Sequence, residues 1–302
     1  MNNTPAILLS TFNGERFISA LLDSLVGQLD IHPVVYWRDD GSTDSTAQIV
    51  RSYSASIDLR EVLGSGRLGP SASFLSLLRK AAPHHASFHF ADQDDIWNPG
   101  KVAHAHQVVT QIEAPILFHC RQQLIDSSDL VLRLSRQSGP GSFSNALCEN
   151  IAVGCTVALN HSAAQFVAKG KPIHSLMHDW WAYLVISAVG RIMYDSKPWI
   201  QYRQHTQNVI GGNRGVIHQL MWRLQRVATS SGGVGRISKQ LLDLLDIHGD
   251  ILTYEQRLKV ERLLAGKSSI CARLNNSLFP PAIRQSWVDQ LFLRGLLFTN
   301  RY

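Results

Sequence analysis

Apolar residues in the first two thirds of the chain come in short runs set between amphipathic stretches. Ala6–Ser10, Pro33–Trp37, Leu59–Leu63 and Ser87–Ala91 have the length and apolar character of buried strands. Between them, Glu15–Gln28 carries Phe17, Ile18, Leu21, Leu22, Leu25 and Val26 at helical spacing. A second helix is marked by Ala47, Ile49 and Val50, and a third is predicted over Ser71–Ala82. Strands alternating with helices imply crossover units, hence a mostly parallel sheet covered by helices on both faces.

Further on, the pattern predicts a helix over Lys101–Ile112, a strand over Pro115–Cys120, and strand plus turn over Leu124–Leu134. After a loop at Ser138–Ser144, Ile151–Asn160 reads as a strand interrupted by Gly154, where a ligand could approach the backbone closely. Helices follow at His161–Lys169 and His178–Val189, then a short strand at Arg191–Tyr194 and a polar loop at Gln201–Gly212. Beyond Arg214, Val216, Ile217, Leu220, Met221, Leu224 and Val227 share one helical face. A Ser/Gly break at Thr229–Gly235 precedes helices near Ile237–His248, Tyr254–Leu264 and Ile283–Phe298. The expected organisation is an α/β domain over residues 1–212 and a helical region over 213–302.

Charge sharpens that division. The chain carries a net +6, and residues 214–302 hold 13 basic against 6 acidic side chains, so all the surplus lies in the tail. No nucleic-acid-binding module accompanies it, which argues against a nucleic-acid partner. A basic helical tail could meet an anionic membrane or carrier lipid, cover the sheet as a lid, or join two copies into a homodimer. No apolar run approaches the length of a bilayer span, and the first residues lead directly into a strand. The expected location is cytoplasmic, with peripheral contact at the cytosolic face of the inner membrane as an option. The four cysteines lack metal-ligand spacing and read as reduced thiols.

Three polar clusters fall at the carboxyl ends of predicted strands: Ser10–Gly14, Asp39–Asp44 and Asp92–Asp95. Ligand crevices in open α/β sheets lie at those ends. Acidic side chains at a strand tip are the hard oxygen donors that Mg2+ or Mn2+ takes while also holding phosphates. The loop Gly64-Ser65-Gly66-Arg67-Leu68-Gly69 follows the third strand and has neither dinucleotide-fingerprint nor Walker spacing. Phosphate binding therefore falls to a metal and to loop donors.

Ser-Thr-Phe-Asn-Gly at 10–14, Asp-Asp-Gly-Ser-Thr-Asp at 39–44, Asp-Gln-Asp-Asp-Ile-Trp at 92–97 and His-Asp-Trp-Trp at 178–181 occur in that order. With them the chain resembles the family 2 glycosyltransferases, inverting enzymes of the GT-A fold, over roughly residues 4–212. Ala-Asp-Gln-Asp-Asp-Ile-Trp and the later Tyr-Arg-Gln-His-x-x-Asn look most like the bacterial rhamnosyltransferase branch, which uses dTDP-L-rhamnose to build O-antigen or cell-wall polysaccharide. The resemblance implies a nucleoside diphosphate sugar donor, dTDP- or UDP-linked, and a saccharide or lipid-linked acceptor.

By position, Asp40 matches the carboxylate that accepts the N3–H of the base, and Ser10, Thr11, Phe12 and Asn13 border the nucleotide. Arg67 joins the nucleotide-binding set. Asp92 would meet ribose or the metal shell, Asp94 would ligate the metal, and His205 would complete that shell or serve as a loop hydrogen-bonder. Arg203 would pair with phosphate. Asp179 matches the catalytic base, and Gly154, Cys155, Trp180 and Trp181 match the acceptor or sugar side. Plainer roles stand beside these: Asp40 and Asp179 could be helix caps, and one of the two tryptophans core packing. Asp95 reads as a cap for the following helix. Where the family often has an aspartate after the fifth strand, this chain has Arg121. A catalytically silent nucleotide-sugar binder, or an assembly partner of a polysaccharide synthesis complex, is the alternative reading. An aspartyl phosphotransferase fits less well, because its Asp-x-Asp ends the first strand, not the fourth.

Overall fold

The computed structural model describes residues 3–64, 66–204 and 235–302, which fall into two compact units. The first comprises Met1–Gly141, Asn150–Lys171 and Met177–Arg203. Its strands are β1 (Ala6–Thr11), β2 (Val34–Asp39), β3 (Asp58–Glu61), β4 (Ser87–Ala91), β5 (Ile96–Trp97), β6 (Ile116–Ile125), β7 (Val131–Leu134), β8 (Ala158–Asn160) and β9 (Arg191–Arg203). They form one sheet in the order β3-β2-β1-β4-β8-β6-β9-β5, with β7 beside β6. The half built from the first four runs is wholly parallel. β8 runs antiparallel between β4 and β6, β6 and β9 pair in parallel, and the short β5 and β7 are antiparallel additions.

Helices α1 (Ile18–Val26), α2 (Thr46–Ser52), α3 (Pro70–Ala81), α4 (Lys101–Thr110), α6 (His161–Ala168) and α7 (His178–Val189) flank this sheet. Side-chain alternation along β1 assigns the two faces. Ile7 and Leu9 join a buried cluster with Leu21, Leu22 and Leu25 of α1 and Val102, Ala105 and Val109 of α4. On the other face Ser10 donates to Ser73 of α3 at 2.7 Å. Every residue of β4 is buried, as a central strand covered on both sides requires.

The second unit comprises Ser142–Glu149, Pro172–Leu176 and Gln204–Tyr302. Its helices are α5 (Phe143–Ala146), α8 (Arg236–His248), α9 (Tyr254–Ala265), α10 (Ile270–Leu278) and α11 (Trp287–Phe298). A capping box between Thr253 and Gln256 starts α9. Carbonyl groups of the short internal segment accept from residues that flank the last helix. Ile283 N–H donates to Ser144 O, Arg284 Nη2 to Cys148 O and the Tyr302 hydroxyl to Leu147 O. Among the described residues no helix is long and apolar enough to cross a membrane.

Three elements depart from the sequence pattern. β9 runs from Arg191 to Arg203, far past Tyr194, because it pairs along nearly the whole of β6. The Ile151–Asn160 strand is reduced to Ala158–Asn160, and Gly154–Thr156 forms a 3-10 turn whose backbone hydrogen bonds close locally. α10 was not visible in the pattern at all. The amphipathic stretch at 216–227 lies outside the described residues, as does His205.

Candidate functional site

β4 ends in Asp92–Asp95, and β5 follows at once, so the acidic turn is clamped between a buried strand and the β5–β9 pairing. Ligand-donor atoms of Asp92, Asp95 and Cys155 lie within 4.8 Å of one another. Burial, then the charges of Asp94 and Asp179, push Asp92 up to about 8. Burial, then the charges of Asp94 and Asp92, raise Asp95 well above the ordinary range. Crowded buried carboxyls whose ionisation burial and mutual repulsion oppose are an arrangement a divalent ion relieves, and among the described residues Asp95 Oδ2 has no hydrogen-bond partner. Oxygen donors of this kind fit Mg2+ or Mn2+.

Gln93, between the acids, ties this turn to the tip of β1. Its Oε1 accepts from Phe12 N at 2.8 Å, and its Nε2 donates to Phe12 O at 3.0 Å. The contact requires a glycine opposite, since a Cβ on Gly14 would lie 2.4 Å from the Gln93 amide. Sequence reasoning passed over Gln93, though an amide flanked by carboxylates at a strand tip was a readable signal.

Asp179 lies in the first turn of α7, behind the N-cap residue Met177, and is not itself the cap. Its Oδ1 accepts from Trp180 N at 2.7 Å, and its Oδ2 accepts from Gly154 N at 2.8 Å. Burial outweighs these donors and Asn150, and lifts the carboxyl to about 6. Gly154 can donate because nothing intrudes above it: a Cβ there would sit 2.7 Å from His178 Nε2. His178, packed flat on Phe74 with ring centroids 4.0 Å apart, is held neutral by burial, at about 3.

On the β2 side, Asp40 Oδ1 accepts from Leu68 N at 2.7 Å and from Arg38 Nη1, and its Oδ2 accepts from Gly69 N at 2.7 Å. Burial opposes ionisation, but these donors hold the carboxyl below its ordinary value. Asp40 thus organises the glycine loop, with roughly one of its four lone-pair positions still open. Arg38, a cation inside an apolar strand, also donates to Gly66 O at 2.7 Å. Arg67, on the same loop, sits 3.7 Å above the Phe12 ring. A chain of contacts therefore runs from the loop that Asp40 anchors through Arg67 and Phe12 to Gln93, next to Asp92, whose ionisation the Asp179 charge opposes. A cavity of about 510 Å³ lined by Tyr36, Arg60, Lys80, His84 and His85 shares none of these residues.

Several expected site residues are placed otherwise. Thr11 is buried, accepting from Trp37 Nε1 and donating to Asp39, so it knits β1 to β2. Cys155 and Trp181 are fully buried and cannot form an acceptor surface, whereas Trp180 is partly exposed. The Cys155 thiol backs the Asp92–Asp95 pair, with burial pushing its ionisation well up. Arg203 is no phosphate clamp: it is 2% exposed, and its guanidinium donates to Asp94 O, Asp126 O and Asp129. Asp95 is no helix cap either; it accepts from Arg203 N at 3.0 Å, and α4 begins at Lys101 behind Gly100. Asn13 is exposed, takes a positive φ of 47° and accepts from Thr43 N. Arg121 donates to Ser135 O at an irregularity in the β6–β9 register.

Residues 6–154 match the family described as Glycosyl transferase family 2. Over 222 residues the chain is 27% identical to the dTDP-rhamnosyl transferase RfbG of Shigella flexneri, covering 68% of this chain and 74% of that protein. Among solved structures it is similar to S. aureus TarS 1-349 in complex with UDP-GlcNAc, with a TM-score of 0.57 and 16% identity, over 99% of this chain and 82% of that one. The mannosyltransferase PcManGT from Pyrobaculum calidifontis, in complex with GDP-Man and Mn2+, gives a TM-score of 0.54 at 16% identity, over 99% and 86%. At such identities the structural likeness speaks for the GT-A fold.

Proposed function

We propose that this chain, whose residues 6–154 match glycosyl transferase family 2, transfers L-rhamnose from dTDP-rhamnose to a saccharide or lipid-linked acceptor, with inversion, in bacterial surface polysaccharide synthesis. The observation that carries the reading is the gathering of carboxyl groups beyond the end of β4. Asp92 and Asp94 stand at the tip of β4, and Asp179 approaches closely enough for its charge to raise Asp92. The similarity to the Shigella flexneri protein supports the choice of donor.

In this mechanism Asp40 turns its open lone pair to the N3–H of the base, while Phe12 and Arg67 border the base, and Ser10 and Asn13 lie beside them. Asp92 and Asp94 would hold Mg2+ or Mn2+, which would supply a Lewis acid against the charge on the departing diphosphate. Asp179 takes the proton from the acceptor hydroxyl as that oxygen attacks the anomeric carbon from the face opposite the leaving group. Raised only to about 6, its pKa leaves it mostly ionised at neutral pH while making it a better base than an exposed carboxylate. Gly154 N–H and Trp180 N–H fix the direction of its lone pairs, and Trp180 offers the acceptor its partly exposed ring. The enzyme works at the cytosolic face of the membrane.

A thermal-shift panel of nucleotides and nucleotide sugars, with and without Mn2+, tests the donor. Metal-dependent stabilisation largest for dTDP-rhamnose is expected; no response to any nucleotide sugar would sink the reading. Release of dTDP from the donor separates an enzyme from a silent binder, which would bind without turnover.

A further inference from the structure

The second unit exposes far more apolar surface than its own packing needs. Along α10, Ile270, Leu274 and Leu278 recur every fourth residue and are 67%, 44% and 62% exposed. Along α11, Trp287, Leu291 and Phe298 form a second stripe, 76%, 57% and 55% exposed. Leu278, Phe279 and Ile283 carry the exposed apolar character through the connection between the two helices. These helices pack on each other, with Ser277 Oγ donating to Arg294 O at 3.1 Å. Leu293 and Leu297, off the exposed stripe of α11, are buried. Stripes of this extent mark an interaction face, not scattered surface hydrophobes.

Charge selects the occupant. Residues 262–302 contain six basic side chains (Arg262, Lys267, Arg273, Arg284, Arg294 and Arg301) against a single acid, Asp289. Arg294 is exposed and lies on the α11 stripe, between Leu291 and Phe298. A second copy of this chain seated on the same face would bring one basic surface against another. An anionic lipid surface reverses that sign: its acyl region takes Trp287 and the leucines, and its phosphates take the exposed Arg294.

We propose that α10 and α11 of the second unit form a peripheral docking face for an anionic lipid bilayer, with Trp287 and Leu291 entering the interface and Arg294 pairing with headgroup phosphate. The inference rests on reading the chain as a transferase with a lipid-linked acceptor, since such an acceptor is confined to the bilayer.

Flotation of the full chain with vesicles of phosphatidylcholine alone, or containing phosphatidylglycerol, tests the proposal. The wild-type chain should float with the anionic vesicles and be released by high salt. Trp287→Ser/Leu291→Ser should lower the bound fraction roughly tenfold, and Arg294→Glu should weaken binding to anionic vesicles more than to neutral ones. Circular dichroism and melting temperature confirm that each variant is folded. Failure of the wild-type chain to float, or flotation of the folded double variant at the wild-type level, overturns the docking face. So does a wild-type dimer that the double variant abolishes, because a second copy would then be the occupant. Donor turnover in detergent-free solution is measured on the same samples. Turnover without flotation sinks the docking face alone, and flotation without turnover sinks the transferase reading alone.

Discussion

Asp179→Asn separates the catalytic from the structural role of the buried carboxylate. Asp179 titrates at about 6, against an ordinary value of 3.8, and burial is the main cause. That difference corresponds to about 3 kcal/mol. The folded state binds the proton more tightly than the unfolded state does. Stability is therefore highest below the unfolded value, falls as pH rises through the interval up to about 6, and levels off above it. The asparagine variant lacks this slope. However, Asp179 accepts Gly154 N–H on one oxygen and Trp180 N–H on the other. An asparagine can accept only one of them and turns its NH2 toward the second donor, at a cost of about 1–3 kcal/mol. The two terms nearly cancel at neutral pH, so the variant should fold.

The informative quantity is the stability difference between variant and wild type from urea melts at several pH values. It should shift toward the variant by up to about 3 kcal/mol between pH 4 and 6 and then stay flat. In kinetics, wild-type kcat/KM for transfer should fall as pH drops through about 6, with Asp179 protonated. The variant should lose roughly a hundredfold to ten-thousandfold in kcat while nucleotide affinity is kept. Transfer within tenfold of wild type, or an acid limb that survives in the variant, would refute the assignment of the base.

Gly154→Ala forces a methyl group to within 2.7 Å of His178 Nε2; about 1–3 kcal/mol of stability should be lost, with kcat falling more than donor affinity as Gly154 N–H leaves Asp179. Arg203→Met removes the donors that hold Asp94 O, Asp126 O and Asp129, so calorimetry should show weaker Mn2+ binding and melts a loss of about 3 kcal/mol. Equal Mn2+ affinity would show that the Asp92–Asp95 turn keeps its shape without that strut. For the tandem tryptophans, Trp181→Ala should cost about 3–5 kcal/mol as a core deletion, whereas Trp180→Ala should raise KM for the acceptor with little change in melting temperature. The reverse pattern would exchange their roles.

Hydropathy alternation and turn chemistry are local properties, and the sequence alone was enough to determine what depends on them. Four parallel strands, their crossover helices and the gathering of Ser10–Gly14, Asp39–Asp44 and Asp92–Asp95 at one edge of the sheet all follow from residues a few positions apart. Residue type could not say which distant neighbour a polar side chain would meet: Asp179 binds Gly154 N–H 25 residues away, and Arg203 binds Asp94 O 109 residues away. Arg203, a plausible phosphate ligand by composition, is consumed by Asp94 O and the Asp126–Asp129 turn once β9 extends along β6. Trp180 and Trp181 are indistinguishable in sequence, and the helical phase of α7 alone turns one into the core and leaves the other partly exposed. Asp40 became the anchor of the glycine loop, and Gln93 the link between two strand tips, only when that loop and those tips closed on each other.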